Sequence, residues 1–583
     1  MHRRWLVNRT NPEYIEYLSK IASISPVLAQ ILINRGIKTP HEIYDFLNPR
    51  ISNLSDPFEL VGLKTAVERI KEALKRSERV LVHGDYDADG LSATAIVFLA
   101  LKGLGLDVHY FIPHRITHGY GFSFAGVKRA KELGVELVIT VDCGITSFEA
   151  IALSKREGID VIVTDHHEPA LNQQSLFGNH NYLLPDAFAI VNPKLSTTDS
   201  RSSVLSGAGV AFKLAQALST VHGSRPPMAD TVHEFLDLAA IGTMADVVPI
   251  IGENRILVKE GLKLIENGAR PGLRALREVS GIDKRETKSD VLPFTIIPRM
   301  NAAGRISDAN NVVKLLLTDS DDGAAEISFW LDKLNSERQQ IEEEVYREAL
   351  DKLNDKGVRS AIVLSGEGWH QGVIGIVASK ITEIFYRPTF VISKGGNTAT
   401  GSARSIPPFD IYKGLTGCRE LLTGFGGHKQ AAGFRLNTED ISSFEERINR
   451  IVAESLTEED FIPSLEIDAD VKLSHINLSL IRELEMLEPL GFGNTEPLLG
   501  SKGLEVLYPR VVGNNHIKMK LRQRSYSIDA IGFDMAEFFD TLLNIASNST
   551  GSTLIDAAFT PFINEWEGGR GLQLNLKAFR PSL

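Results

Sequence analysis

This chain of 583 residues predicts an α/β fold: a parallel-sheet core, a long connector helix, a second α/β domain and a carboxyl-terminal β-barrel. Three observations predict it. Short apolar runs at Val80–Val82, Leu137–Val141 and Val161–Thr164 are each followed by a helix-like segment, as in the βα units of a sheet buried on both faces. The stretch from Asp321 to Lys356 is helical in character, with Leu331, Leu334, Ile341, Val345 and Leu350 spaced among charges. From about Pro463 onward, short alternating strands and turns replace this pattern, including 506–512, 516–521 and 525–533.

Taken in order, residues 1–48 read as a small helical preface ending at Asn48-Pro49. Residues 49–320 form the α/β core, with polar, turn-rich surface loops at 173–186 and 195–206 around the strand-like Ala189-Ile190-Val191. Residues 321–356 carry eleven Asp/Glu against five Lys/Arg, a poor nucleic-acid face, and read as a connector holding two domains apart. The next domain spans 357–460, and the barrel 461–583.

Each early strand ends in charge. His83-Gly84-Asp85-Tyr86-Asp87-Ala88-Asp89-Gly90 follows the first, Asp142-Cys143-Gly144 the second and Asp165-His166-His167 the third. Strand ends in such sheets converge on one crevice. Unpaired buried charges cost several kcal/mol each, so their convergence calls for cations. Carboxylates with a minority of imidazoles and no paired thiolates suit Mn²⁺ or Mg²⁺. About six ligands permit two metals, an arrangement suited to phosphoester hydrolysis. Asp246, isolated in an apolar setting, is a further candidate.

Between Arg359 and Arg435 the charge balance reverses, to nine Lys/Arg against four Asp/Glu, and glycines cluster at 366, 368, 372, 375, 395–396, 401, 424, 426–427 and 433. Gly395-Gly396 reads as a turn. Gly401-Ser402-Ala403-Arg404 and Gly426-Gly427-His428 place a donor beside a permissive backbone, which suits phosphate. In the barrel, residues 502–524 hold six Lys/Arg and one Glu, interleaved with Tyr508 and His516 and followed by Tyr526, the composition of a single-strand-binding surface. A net charge of −11 does not oppose this, because nucleic-acid binding needs local positive surface. Two cysteines, Cys143 and Cys418, argue against a disulfide framework, and with no signal-peptide or membrane-length apolar run the expected location is the cytoplasm.

These motifs resemble the DHH phosphoesterase superfamily, named for an Asp-His-His motif matched by Asp165, His166 and His167, and within it the RecJ family of single-strand-specific 5′-to-3′ DNA exonucleases. PRMNAAGR at 298–305, HQGVIGIVASKI at 370–381, GSARS at 401–405 and FGGHKQAAGF at 425–434 extend the resemblance over the whole chain. It implies a DHH domain, a DHHA1 domain and an OB-like barrel. It also implies two Mn²⁺ or Mg²⁺ ions held by His83, Asp87, Asp89, Asp142, His166 and Asp246, with Asp142 bridging, His167 facing the scissile phosphate, and Asp85 and Asp165 in support. Ser402 and Arg404 would grip a 5′-phosphate with Arg299 or Arg305, beside Gly426, Gly427 and His428. The implied partners are 5′-phosphorylated single-stranded DNA, single-strand-binding protein and repair helicases, met by a monomer. Three competing readings are another DHH enzyme acting on pyrophosphate, cyclic dinucleotides or very short oligonucleotides, which lacks this combination of connector, DHHA1 and barrel-like domains; a noncatalytic scaffold, opposed by the retained ligands; and a stand-alone nucleic-acid-binding protein, which leaves the acidic cluster unexplained.

Overall fold

The computed structural model describes residues 3–171, 182–196, 203–220, 232–547, 554–566 and 569–582; parts of both expected surface loops, 173–181 and 197–202, lie outside them. Two compact units result, one of Ser55–Val248 and Glu260–Pro463, the other of Met1–Leu54, Pro249–Lys259 and Ser464–Leu583.

The first unit opens with β1 (Arg79–His83), α1 (Ala88–Gly103), β2 (Asp107–Phe111), β3 (Leu137–Val141), β4 (Asp160–Thr164) and β5 (Ala189–Val191). The strands form a fully parallel sheet in the order β2-β1-β3-β4-β5. The reversal of chain direction across the sheet falls between β1 and β3, the position where such sheets bind ligands. Val80, Leu81, Val82, Val138, Ile139 and Ile162 are fully buried, which is why these strands read as continuous apolar runs. Helix α1 is buried along almost its whole length and packs against α2 (Gly207–Leu218) and α3 (Leu236–Ala245).

After α4 (Ile296–Ile306), the connector α5 (Asp321–Lys356) runs unbroken from an amino-terminal Ser320 cap to Gly357. At 1.5 Å per residue it spans about 54 Å. It packs first against α4, then through Val345, Ala349 and Leu353 into the core of the next domain. That domain is a five-stranded mixed sheet with one helix in its crossover: β6 (Ile362–Glu367), α6 (Ile374–Phe385), β7 (Thr389–Gly395), β8 (Thr398–Arg404), β9 (Gly424–Gly427) and β10 (Ala431–Asn437), in the order β9-β10-β8-β7-β6. Gly396, at φ 70°, makes the β7–β8 hairpin turn, as its sequence suggested.

In the second unit, strands Leu499–Val512, His516–Gln523, Tyr526–Gly532, Gly569–Pro581 and Leu554–Trp566 close into a barrel, because the first also pairs with the last. The helices Pro12–Ala22, Pro26–Asn34 and Pro40–Leu47 each start with proline behind an Asn, Ser or Thr cap. Their Leu18, Leu28 and Ile31 share one core with Leu499, Leu521 and Phe559, so the preface folds with the barrel. Arg255 is buried, and its guanidinium donates to the carbonyls of Phe46, Met486, Leu487, Glu488 and Pro489.

The barrel's basic strand face is partly neutralised by its own neighbours. Arg522 forms a two-pronged pair with Glu505, Lys520 lies 3.6 Å from Asp529 and His516 lies 3.7 Å from Asp534. Arg510 and Lys518, opposite each other across two strands, have no acidic partner among the described residues. Tyr508 and Tyr526 are 75% and 55% exposed.

Candidate metal centre and substrate cleft

Register aligns the charged strand ends. His83 lies opposite Thr140, and Val141 opposite Thr164, so the residues that follow β3 and β4 leave the sheet at one edge. The Asp142 N–H donates to the Thr164 carbonyl at 3.0 Å. Asp142 then adopts φ 59°, a left-handed conformation that costs roughly 1 kcal/mol or more and is held by its surroundings. Asp87 caps α1, accepting from the Asp89 and Gly90 N–H groups at 3.1 and 3.0 Å. Asp89 in turn accepts from the first N–H groups of α2, those of Gly207 and Ala208, at 2.7 and 2.8 Å. Asp246 closes α3.

These side chains meet. His166 Nε2 stands 3.1 Å from Asp142 Oδ1, 3.3 Å from Asp246 Oδ2 and 3.9 Å from Asp89 Oδ2. Donor atoms of Asp85, Asp87 and Asp142 form an adjoining cluster within 4.8 Å, and Asp142 also belongs to a third such cluster with His166 and His167. Four buried atoms, His83 Nε2, Asp85 Oδ1, Asp142 Oδ1 and His166 Nε2, have no hydrogen-bond partner. Orphaned carboxylate oxygens and imidazole nitrogens aimed at shared space are a donor set suited to hard divalent cations. His83 falls outside the 4.8 Å clusters, whereas Asp85, expected only in support, falls inside one.

Burial, and then neighbouring acids, push Asp89 and Asp142 well above the usual carboxylate range. Burial and Asp87 do the same to Asp85, and burial pushes His83 and His166 down to about 4. Neutral imidazoles beside carboxylates that resist ionising together offer lone pairs to a cation.

His167 differs from its neighbour. Its Nδ1 lies 2.7 Å from Asp165 Oδ1 and its Nε2 lies 3.1 Å from Tyr120 Oη. Burial opposes charge on both partners, but the hydrogen bond and charge of Asp165 hold His167 near a pKa of about 9, while bonds from His167 and the Ile145 N–H hold Asp165 near about 2. The contact with Asp165 thus favours the charged form of His167 at the cleft wall.

That cleft, of about 1650 Å³, lies between the two sheets of the first unit, with Tyr86, Tyr120 and His167 on one wall and Gly401, Gly426, Gly427 and His428 on the other. Arg305 and Arg404 gather beside it with Arg115. Burial first, then Arg115, Arg338 and Arg404, lower the Arg305 pKa to about 10, and burial and Arg115 lower that of Arg404. Arg404 donates to Ser402 Oγ at 3.3 Å, and Arg305 to the Gly372 carbonyl at 3.1 Å. Helix α6 starts here without a side-chain cap, and a Cβ on its Gly375 would lie 3.0 Å from Ser402 Oγ. A helix start without a side-chain cap and crowded guanidiniums are chemistry that suits an anion.

Of the two core arginines offered by sequence, Arg305 joins this cluster. Arg299 instead pairs with Asp332 of α5 at 2.7 Å and donates to the Thr295 carbonyl. Gly401 has a packing reason, since a Cβ there would lie 2.1 Å from the Phe434 ring. Sequence reading missed Arg115, which lies over the Tyr86 ring at 4.9 Å, and Tyr120. It also missed Asn301, whose side chain accepts from the Ala88 N–H, although PRMNAAGR pointed to that segment. Gly207 and Gly242 were missed as well: a Cβ on either would come within about 2.5 Å of Asp142 Oδ1 or Asp89 Oδ1 respectively.

Three family models match: DHH family, N-terminal domain, at residues 79–243; DHHA1 domain at 355–454; and RecJ OB domain at 467–578. The single-stranded-DNA-specific exonuclease RecJ of Escherichia coli is 35% identical, covering 95% of this chain and 95% of that protein. The chain belongs to the RecJ family. Its Bacillus subtilis relative of the same description is 37% identical over 98% of this chain and 70% of its own length. A RecJ crystal structure from Thermus thermophilus in complex with Mn²⁺ superposes with a TM-score of 0.82 at 32% identity, covering 99% of this chain and 80% of that one; a Mg²⁺ complex gives 0.77.

Proposed function

We propose that this chain is a single-strand-specific 5′-to-3′ DNA exonuclease that releases 5′-mononucleotides with divalent metal. The observation that carries it is the group of orphaned buried donors around Asp142 with a cluster of Arg305, Arg404 and Arg115 whose charges act on one another, Asp87 of the donor group acting on Arg305 as well. Names and metal complexes of RecJ relatives support the same reading.

Asp142, Asp89, His166 and Asp246, together with Asp87, His83 and Asp85, would hold the metal ions. Bound Mn²⁺ or Mg²⁺ supplies Lewis acidity toward phosphoryl oxygen and lowers the pKa of water. The protein's own groups do the positioning. His167, charged and held by Asp165, meets the developing negative charge of the scissile phosphate. Ser402, Arg404, Arg305 and the start of α6 grip the terminal phosphate, so that cleavage proceeds from the 5′ end, one nucleotide at a time. His428, Gly426 and Gly427 line the path of the strand. The barrel adds single-strand affinity through Arg510, Lys518 and exposed tyrosines.

The same reading makes the protein a cytoplasmic monomer working with single-strand-binding protein and repair helicases. No helix among the described residues is long and apolar enough to cross a membrane. Digestion of end-labelled single strands and blunt duplexes, with Mn²⁺, Mg²⁺ or chelator, tests the activity. Mononucleotide release from the 5′ end of single strands only, abolished by chelator, is expected; release from the 3′ end or equal attack on duplex overturns it.

A further inference from the structure

We propose that α4 is a spacer that fixes the distance between the terminal-phosphate site and the metal loop, with Gly304 and Asn301 as its positioning residues. The proposal rests on the exonuclease reading and deepens it. Asn301, Gly304 and Arg305 follow one another on α4 at the spacing i, i+3 and i+4, so they share one face of the helix. That face lies on the loop Tyr86-Asp87-Ala88. Asn301 Oδ1 accepts from the Ala88 N–H at 2.8 Å, and a Cβ on Gly304 would lie 2.2 Å from the Tyr86 carbonyl oxygen. The two contacts bracket Asp87, whose carboxylate accepts from the Asp89 and Gly90 N–H groups. One residue beyond Gly304, Arg305 donates to the Gly372 carbonyl at 3.1 Å, in the segment that leads into α6. Packing there is as close: a Cβ on Gly372 would lie 2.3 Å from the Arg305 carbonyl oxygen. A single helical turn therefore touches the metal loop and the phosphate site together.

The helix has no room to yield. It packs against connector α5, where Arg299 pairs with Asp332 at 2.7 Å, and its Met300, Ala302 and Ala303 are fully buried. Added bulk at Gly304 must therefore displace the loop, by about 1 Å or more, and not the helix. Glycine stands here for close approach alone, since inside a helix alanine is the better former. The distance matters because release of one nucleotide requires the scissile phosphate to reach the metals while the terminal phosphate is held. A strand pinned at its end cannot correct an error in that span. The PRMNAAGR segment thus acquires a division of labour: its asparagine and first glycine seat the metal loop, and its last arginine reaches the terminal phosphate.

The test is single-turnover cleavage of single-stranded oligonucleotides, 5′-phosphorylated or 5′-hydroxyl, with Mn²⁺, by the full chain and its Gly304→Ala and Asn301→Ala variants. Strand affinities are read in chelator, where cleavage stops, and the rise in melting temperature on Mn²⁺ addition reports on the ligands. Gly304→Ala is expected to slow cleavage of the phosphorylated strand roughly a hundredfold, as a misplacement of about 1 Å does, and of the 5′-hydroxyl strand less than about tenfold, because a strand free at its end slides into register. The ratio of the two affinities and the response to Mn²⁺ should stay at the parent's values, since every arginine and every ligand remains. Asn301→Ala adds no bulk and releases the same loop, so it should slow the phosphorylated strand more than the other, and it decides alone if Gly304→Ala does not fold. An equal fall on both strands, or no fall on either, overturns the proposal. So does a lost affinity ratio, a lost Mn²⁺ response, or a parent that cleaves both strands at one rate. A parent chain that releases no mononucleotide overturns the exonuclease reading instead, and the spacer falls with it.

Discussion

Asp142 Oδ1 and His166 Nε2 stand 3.1 Å apart, yet no hydrogen bond joins them. Both atoms are buried, and each presents a lone pair to common space. Metal should therefore stabilise the fold by binding the native state alone; at a hundred times its dissociation constant it adds about 2.7 kcal/mol. Asp142→Asn removes one of several crowded carboxylates, so its melting temperature without metal should equal or exceed that of the parent. Its response to Mn²⁺ should vanish, with activity down by at least roughly a thousandfold. Thermal melts with and without Mn²⁺ check both halves, and a parent-like response in the variant would remove Asp142 from the site.

The Asp165–His167 pair sets a pH window. Asp165 has a pKa depressed to about 2 in the fold, so its contribution is present above its ordinary value near 3.8 and is lost as pH falls toward 2. His167 is raised to about 9, so its contribution is complete below its ordinary value near 6.5 and is lost as pH rises through 9. Activity should fall on the alkaline side as the imidazolium loses its proton. His167→Gln should flatten that limb while lowering the rate throughout; measuring rate against pH at saturating metal decides it.

The strand ends were legible because a sheet buried on both faces leaves unbroken apolar runs, and the acids that follow Val82, Val141 and Thr164 stand out against them. Connector α5 was equally plain from its periodic leucines and charges. Other features depend on partners distant in sequence. Nothing local in residues 12–47 says that Leu18 and Leu28 share a core with Phe559. The basic run at 502–524 looked wholly available for nucleic acid, but pairing across strands brings Glu505 to Arg522 and Asp529 to Lys520. Arg115 sits in a segment without apolar rhythm, and only folding places its charge beside Arg305 and Arg404.

Arg299 and Arg404 should part company on substitution. Arg404 donates to Ser402 Oγ and is proposed to meet the terminal phosphate, where a planar guanidinium offers two-pronged contacts that an ammonium lacks. Arg404→Lys should raise KM for 5′-phosphorylated strands roughly tenfold, equivalent to about 1.4 kcal/mol, and leave 5′-hydroxyl strands nearly unaffected. Arg299 is engaged by Asp332, so Arg299→Ala should lower stability by about 1 kcal/mol with no change in the ratio of the two substrates. Competition between the two end chemistries measures the ratio. A shift with Arg299→Ala would place that residue, and not Arg305, at the terminal phosphate.

Gly242 sets local preference against the needs of the site. It lies within α3, where alanine is favoured over glycine by about 1 kcal/mol, so propensity alone predicts that Gly242→Ala stabilises. The added Cβ would lie 2.4 Å from Asp89 Oδ1 and 2.4 Å from the Ala208 Cβ, closer than real contacts allow. Asp89 cannot retreat without giving up the Gly207 and Ala208 N–H groups that orient it. The steric term should win: Gly242→Ala is expected to raise the Mn²⁺ concentration giving half-maximal stabilisation at least roughly tenfold, about 1.4 kcal/mol, although no donor atom has been removed. A metal titration followed by thermal melting reads this directly. An unchanged midpoint would mean that α3 shifts aside while Asp89 stays, and that the room around this carboxylate does not govern metal affinity.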